Sequence, residues 1–221
     1  MRTFVYVDGF NLYYRLLQSD PSLKWLNILA MAQAALPKTA EIVRMRYFSA
    51  RVSGRRDRQA PGRQQAYLNA LATLPGFEAH MGNFLTSSKF AELAQPPEFR
   101  PRISWPANEP APDVVKIIKT EEKGSDVNLA SHLLMDSFRN SFEAAAVISN
   151  DADLIEPIRL ATRELGKTVG LLTPVPSPNP RLREVASFVR HIERRHLSHA
   201  QFPDVIELPN GQRAQRPAEW R

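Results

Sequence analysis

The sequence predicts a three-layer α/β domain built on a central, mainly parallel β-sheet. Short apolar segments typical of buried strands alternate with segments whose apolar residues have helical spacing. Two strand segments, residues 4–7 and 144–149, are apolar at almost every position, as expected when helices cover both faces of a parallel sheet. Each is closely followed by aspartate. Ligands of open α/β sheets bind at the carboxyl ends of the strands, so these acids are candidate site residues.

The first half of the chain contains three predicted strands and three predicted helices. The segment 41–50 is rich in β-forming residues and alternates in polarity, which is typical of a strand. Prolines at 21, 37 and 75 end the helical patterns that precede them. The predicted strands are residues 4–7, 41–50 and 77–85, and the predicted helices are residues 11–18, 25–36 and 64–74. The loop at residues 51–63 is rich in arginine: Arg51, Arg55, Arg56, Arg58 and Arg63.

The second half continues the alternation after a proline-rich interruption. Residues 89–112 predict an irregular excursion from the sheet, with a short hairpin around Arg102–Trp105. The sequence leaves two roles open for this excursion: it covers the substrate groove, or it forms a contact in a homodimer. The predicted strands that follow are residues 114–120, 144–149 and 168–173, and the predicted helices are residues 125–140 and 151–165.

The chain is expected to divide into a domain over residues 1–176 and a C-terminal part over residues 177–221. Residues 181–196 are basic and amphipathic, which predicts one helix. The residues from about 198 onward are polar, and we expect a loosely ordered tail there.

Composition narrows the class of protein. The formal net charge of +6 and the pI of about 9.8 favour a polyanionic partner such as nucleic acid, with a merely solubilising basic surface as the alternative. The absence of cysteine excludes disulfides, thiolate metal sites and cysteine nucleophiles. No apolar run approaches the about 18 residues that span a bilayer, so no membrane partner is expected, and we predict a cytoplasmic protein. Glycine-rich dinucleotide and P-loop motifs are missing.

Four aspartates stand where a shared site would form. Asp8 and Asp151 each follow a predicted strand and would lie side by side if the two strands are parallel neighbours. Asp153 comes two residues after Asp151, and Asp126 stands at the start of a helix. Each alone is equally explained as a turn or helix-capping residue. Carboxylates crowded together repel one another, and a hard divalent cation relieves that repulsion. Mg²⁺ prefers such oxygen ligands together with substrate phosphates, so the group predicts metal-dependent phosphodiester hydrolysis.

Three sequence blocks resemble the signature blocks of NYN domains, which are related to PIN-like nucleases. They are VDGFNLYY at residues 7–14, EKGSDVNLASHLL at residues 122–134 and VISNDADLIEPI at residues 147–158. The resemblance extends from Met1 to about Pro174. It implies a PIN-like three-layer sandwich, a Mg²⁺ or Mn²⁺ site, and single-stranded RNA as the substrate and partner.

The resemblance also implies roles for individual residues. Asp8, Asp126, Asp151 and Asp153 match the family's metal-binding and catalytic acids, and Asn11 matches the asparagine that positions substrate. Of the pair after the fifth predicted strand, Asp151 is the better candidate for direct ligation.

Three further positions qualify the resemblance. Ser149 matches a small hydroxyl residue that supports the site. Asn150 stands where the family commonly has glycine, and asparagine tolerates left-handed backbone angles better than most residues. Lys123 is either a phosphate contact or a solvated lysine beside a helix.

Other residues are candidates for contacts with RNA. The arginines of segments 51–63 and 181–195 would contact the RNA backbone. Tyr13, Tyr14 and Phe48 would either stack on bases or pack in the core. The histidines of the basic segment are expected to be surface residues and not metal ligands: His191, His196 and His199.

The leading hypothesis is therefore a Mg²⁺- or Mn²⁺-dependent ribonuclease. The alternatives are a regulatory protein that binds RNA without cleaving it, and a metal-dependent phosphatase acting on small molecules.

Overall fold

The structure, a computed structural model, describes residues 1–55, 57–103, 105–106 and 109–221. Seven strands of the described residues form one sheet in the spatial order four, three, two, one, five, six, seven. In chain order they are β1 (Arg2–Asp8), β2 (Glu41–Ala50), β3 (Phe77–Glu92), β4 (Val114–Lys123), β5 (Ala144–Ile148), β6 (Thr168–Thr173) and β7 (Phe188–His191). All neighbours are parallel except β3 and β4, which are antiparallel. The predicted α/β fold with a mainly parallel sheet is confirmed.

Helices cover both faces of the sheet. They are α1 (Gly9–Leu12), α2 (Ile28–Ala35), α3 (Ala60–Leu71), α4 (Ser125–Phe138), α5 (Ile155–Arg159), α6 (Pro180–Val185) and α7 (Arg194–Ser198). Helix α1 continues as a π-helical turn over Tyr13–Leu17, and α5 lies between a 3-10 turn (Ala152–Leu154) and a π-helical turn (Leu160–Glu164). Two further 3-10 turns are Pro21–Leu23 and Ala218–Trp220. None of the helices in the described ranges is long and apolar enough to cross a bilayer.

The strands divide the core into two layers because successive side chains of a strand point to opposite faces. Val5 and Val7 of β1 belong to the core layer that also contains buried residues of α2, α3 and α7. Phe4 and Tyr6 belong to the other layer, with buried residues of α4, α5 and α6. Asp8 has the parity of Tyr6, so the end of β1 presents it toward the α4 side.

The proline-rich segment is shorter than the sequence predicts. Strands β3 and β4 run beyond their predicted ends and pair antiparallel from Asn83↔Lys123 to Glu92↔Val114. Most side chains of this extension are at least partly exposed, so it lacks the apolar alternation that would reveal a strand. The hairpin predicted around Arg102–Trp105 is wrong for its described residues, which form no strand, and its Ser104 lies outside the described residues.

The single basic helix predicted over residues 181–196 is also wrong. The backbone becomes extended at Ala186, and Ser187 N–H donates to the carbonyl of Val169 at 2.7 Å. Strand β7 then pairs with β6, so backbone hydrogen bonds to a distant strand replace those of a continuous helix. The central sheet therefore continues beyond residue 176.

The tail predicted to be loosely ordered contains regular structure. It forms a small antiparallel sheet of β8 (Val205–Glu207) and β9 (Arg213–Gln215). Trp220 lies 6.2 Å from Trp25, centroid to centroid, and packs against the first core layer. Apolar residues at isolated positions anchor this segment, so its high average polarity did not indicate a lack of structure.

Candidate active site

Asp8 is a buried carboxylate at the end of β1, with 5% of its surface exposed. Both of its oxygens accept hydrogen bonds: Oδ1 from the backbone N–H of Asn11 at 2.9 Å, and Oδ2 from the hydroxyl of Ser149 at 2.8 Å. Burial raises the pKa of Asp8, the two hydrogen bonds oppose that rise, and the charge of Asp151 adds to it. The side chain is thus held in one orientation at the sheet edge.

A short hydrogen-bonded chain joins the ends of β1 and β5. Ser149 Oγ accepts from the backbone N–H of Asp151 at 3.0 Å while its own proton goes to Asp8. Asn11 Oδ1 accepts from the backbone N–H of Asn150 at 3.1 Å. Asp151 Oδ1 in turn accepts from the N–H of Asp153 at 3.0 Å and caps the following 3-10 turn. Asp151 therefore has the capping role considered from the sequence and also lies at the site.

Asp126 reaches the same place from the first turn of α4. Gly124 precedes the helix with a φ of +104°, a left-handed conformation that glycine adopts without steric cost. Desolvation raises the pKa of Asp126 to about 6, and the negative charges of Asp8, Asp151, Glu122 and Asp153 add to the rise. The carboxylates are therefore close enough to repel one another.

These side chains line one cleft of about 440 Å³. Of the five predicted site residues, four are on its wall: Asp8, Asn11, Asp126 and Asp151. Asp153 is exposed on the 3-10 turn and is not among the lining residues, although its charge affects Asp126. The structure thus brings four predicted residues together and leaves the fifth at the edge. Their catalytic roles stay predictions.

Four other lining residues were not predicted from the sequence: Phe10, Arg15, Phe84 and Glu122. Tyr14, predicted as a residue that either stacks on bases or packs in the core, also lines the cleft. Glu122 Oε1 accepts from both the N–H and the hydroxyl of Ser125, at 2.9 and 2.8 Å, so it tethers the start of α4. Arg15 is an exposed cation in a cleft that is also lined by four carboxylates. Glu122 lies two residues before Gly124, in the same block as Asp126, and this position was a usable signal for it. Only the fold brings Phe84 to the cleft.

Asn150 does not adopt the left-handed backbone that was considered because the family commonly has glycine at this position. Among described non-glycine residues, only Asn140 has a positive φ. Asn150 Oδ1 accepts from the backbone N–H of Asn179 at 2.8 Å, which ties the loop before α6 to the site. The asparagine therefore provides a contact that glycine would lack.

The donor set fits a hard divalent cation that keeps part of its water. Carboxylate and amide oxygens are the ligands that Mg²⁺ prefers, and it commonly binds through one or two carboxylates, waters and substrate phosphates. Within the described residues, no three His, Cys, Asp or Glu side chains are placed to ligate one ion directly. An ion in this cleft would therefore be held partly through water.

The arginines of the basic segments have varied surroundings. Arg63 pairs with Asp57 and also lies 3.4 Å from Glu219, whereas Arg194 pairs with Asp20 at 2.6 Å. Arg56 lies outside the described residues. Arg55, Arg58, Arg181 and Arg183 are exposed, so they are accessible for a polyanion.

The aromatic and histidine predictions have different outcomes. Phe48 is fully buried in the core, so base stacking by Phe48 is wrong. Tyr13 is half-buried and Tyr14 is 57% exposed beside the cleft. Lys123 is exposed and lies 3.5 Å from Glu121, as expected for a solvated lysine.

Of the three histidines predicted at the surface, His199 is exposed, as expected. His191 and His196 are half-buried, and His196 Nδ1 accepts from the N–H of Glu193 at the start of α7.

Comparison with known proteins shows which family the chain resembles. A family model described as the NYN domain matches residues 2–193. The chain is 27% identical over 246 aligned positions to a protein named 6-hydroxy-3-succinoylpyridine 3-monooxygenase HspA from Pseudomonas putida, covering 100% of this chain and 75% of the relative. A solved structure of a protein of unknown function from Vibrio parahaemolyticus aligns with a TM-score of 0.49 and 16% identity, covering 87% of this chain and 93% of that one.

Proposed function

We propose that this chain, which belongs to the NYN domain family, is a metal-dependent ribonuclease. The family is nuclease-like, which supports a hydrolase in general terms. The observation that supports the proposal most is the cleft itself, where four carboxylates from three separate parts of a chain with net charge +6 line one wall: Asp8, Glu122, Asp126 and Asp151. An acidic site on a basic protein suits a metal ion that works on a polyanion.

Asp8, Asp126 and Asp151 would hold Mg²⁺ or Mn²⁺, directly or through water. When bound, the ion would lower the pKa of a water and offset charge on the phosphate. The hydrogen bond from Ser149 keeps Asp8 Oδ2 in place. Because Asn11 Oδ1 already accepts from Asn150, the amide nitrogen of Asn11 is the group available to donate to a phosphate oxygen.

Substrate contacts would come from the rest of the cleft. Arg15 is positioned on its wall to pair with a phosphate of the RNA backbone. Phe10 and Tyr14 stack with their ring centroids 6.2 Å apart, and Phe84 meets Phe10 edge-on at 5.7 Å. This aromatic wall favours single-stranded RNA, whose unpaired bases are free to stack.

The test is cleavage of a panel of fluorescent single-stranded RNAs in Mg²⁺, in Mn²⁺ and in EDTA. Asp8→Asn and Asp151→Asn are expected to lose about 100-fold or more of the activity, since even the hydrogen-bond partners of metal ligands cost about 10- to 100-fold. Asp113→Asn is the matched control because Asp113 is exposed and does not line the cleft. A loss below about tenfold in Asp8→Asn would contradict the proposal.

The non-cleaving alternative is decided by the same proteins. Salt-dependent RNA binding without turnover in either metal would assign the chain to an RNA-binding or regulatory role. Turnover of a generic phosphate ester, together with no RNA binding, would instead support the phosphatase.

A second candidate function comes from the relative whose name is a hydroxypyridine monooxygenase. The alignment with that protein extends over all of this chain, and the cleft is walled by aromatic rings that would contact a heteroaromatic substrate. A monooxygenase consumes O₂ and two electrons. We would therefore measure O₂ uptake with hydroxypyridine carboxylic acids and reduced nicotinamide as the electron donor. Substrate-dependent uptake in the purified protein would favour this candidate over the nuclease.

A further inference from the structure

A second pocket, of about 460 Å³, lies on the other side of the turn that follows β1. We call it the aromatic pocket, because six of its lining residues are aromatic: Phe10, Tyr13, Tyr14, Tyr47, Tyr67 and Trp220. Its volume falls within the range of about 300–1,000 Å³ typical of small-molecule sites. None of the roles proposed above uses its interior.

The walls of this pocket present ring faces and edges at several angles. Tyr13 and Tyr14 have centroids 5.3 Å apart at 75°, and Tyr67 and Trp220 have centroids 6.1 Å apart at 77°. Tyr67 donates its hydroxyl proton to the carbonyl of Leu26 at 2.8 Å. That hydrogen bond holds the ring in one orientation. A planar ring entering such a pocket would find aromatic surface to stack on.

The aromatic pocket is adjacent to the acidic cleft. Phe10 and Tyr14 line both, so the two cavities share a wall. Gly9 allows this arrangement, because a Cβ there would lie 2.6 Å from the Tyr47 ring. A ligand with two parts could therefore place one in the cleft and the other in the pocket.

Lys24 supplies positive charge to the aromatic pocket. Its Nζ lies 5.6 Å from the centroid of the Tyr13 ring, and within the described part of the chain it has no ion-pair partner. Arg63, the other lining cation, is already paired with Asp57. The ammonium group of Lys24 is thus available for an anionic group of the ligand.

We infer that the aromatic pocket holds a nucleobase of the RNA strand that is cleaved in the acidic cleft. The ring surfaces match the planar heteroaromatic base, the cation of Lys24 matches the phosphate on the pocket side of that base, and the shared wall places the base next to the cleft. This inference rests on the proposed ribonuclease function and adds a base-binding subsite to it. The subsite would position the strand and select among bases.

The test is a fluorescence titration in EDTA, with Trp220 as the reporter on the pocket wall. The ligands are uridine and adenosine 5′-monophosphate, ribose 5-phosphate, which lacks the base, and nicotinate, a free heteroaromatic acid. We expect a nucleotide to bind at least about tenfold more tightly than ribose 5-phosphate, since base stacking on aromatic side chains contributes about that factor. Lys24→Gln should weaken the nucleotide several-fold, and Lys38→Gln, an exposed lysine elsewhere, should not.

Photocrosslinking is the second measurement. Single-stranded RNA with one 4-thiouridine is irradiated with the protein and the crosslinked peptides are mapped. Crosslinks in the peptides of Tyr13, Tyr67 or Trp220 support the inference, and crosslinks confined to other surfaces overturn it. Equal binding of ribose 5-phosphate, or nicotinate binding about tenfold more tightly than either nucleotide, also overturns it.

Nucleotide binding and RNA cleavage are measured on the same wild-type protein, which separates this inference from the ribonuclease proposal. RNA cleavage without nucleotide binding would overturn only the base subsite. Nucleotide binding without RNA cleavage would overturn only the ribonuclease.

Discussion

The hydroxyl of Ser149 donates a hydrogen bond of 2.8 Å to Oδ2 of Asp8, across 141 positions of sequence. Both residues are buried, and each lies where a strand of the parallel sheet ends. The same hydroxyl oxygen accepts from the N–H of Asp151. One side chain thus fixes the positions of two of the proposed metal-binding acids.

Ser149→Ala should therefore lower activity without unfolding the protein. The expected loss is about 10- to 100-fold, the usual effect of removing a hydrogen-bond partner of a metal ligand. Because that bond opposes the rise in the pKa of Asp8, its loss should also move the acidic limb of the pH–rate profile to higher pH. Ser149→Thr keeps the hydroxyl and should retain more activity. Equal activity and an unshifted profile in Ser149→Ala would contradict this role.

Asp126→Asn should stabilise the metal-free protein. In the folded protein the pKa of Asp126 is about 6, above the ordinary value of 3.8, so the folded state binds more protons than the unfolded state between those values. The carboxyl group therefore favours folding below about pH 4, and that contribution is lost as the pH rises through 6. The stabilisation by asparagine should be largest above pH 6 and small near pH 4.

Thermal unfolding in EDTA at several pH values measures this effect. A chain of this length gains about 2–4 °C in Tm for each kcal/mol. Asp113→Asn, outside the cleft, is the control and should leave the Tm unchanged. A Tm for Asp126→Asn equal to or below the wild type at pH 7.5 would show that the neighbouring carboxylates do not strain the fold.

Gly82→Ala should destabilise the junction between β3 and α4. A Cβ at this position would lie 2.6 Å from the backbone oxygen of Lys123 and 2.6 Å from Glu122 Oε1. Since the backbone cannot move away freely, we expect a cost of about 1–3 kcal/mol in urea-induced unfolding. The matched control is Gly62→Ala in α3, where nothing lies within 4 Å of the added Cβ. That change should stabilise by about 0.5–1 kcal/mol, so equal effects of the two substitutions would refute the steric argument.

Asp136→Leu should be strongly destabilising because it breaks a buried ion pair. Asp136 Oδ2 accepts from Arg46 Nε at 2.9 Å and from the hydroxyl of Tyr6 at 2.7 Å. Removing one partner of a buried pair typically costs about 3–5 kcal/mol, since the other charge stays buried. We expect a loss near the lower end of that range, because Arg46 keeps Glu78 as a second partner at 2.5 Å. The double variant Arg46→Met/Asp136→Leu should recover much of that loss in urea unfolding. A double variant as unstable as the single one would show that packing, and not charge, is responsible.

The local pattern of the sequence was sufficient for most of the sheet. The boundaries of β2 and β6 match their predictions, because both strands have the composition and apolar pattern of strands. The chemistry of the site was also accessible, since Asp8 and Asp151 follow recognisable strands and parallel strands end at one edge. Motif order then identified the family without any knowledge of the fold.

Contacts between distant parts of the chain determined the rest. The outer halves of β3 and β4 are strands because each supplies the other's backbone hydrogen bonds, and β7 exists because β6 offers a free edge. Similarly, Phe84 reaches the cleft, and Trp220 the aromatic pocket, only through packing of separate elements. The apolar periodicity of a helix or strand indicates which of its faces is buried. Which other element covers that face depends on the free energy of the whole packed chain.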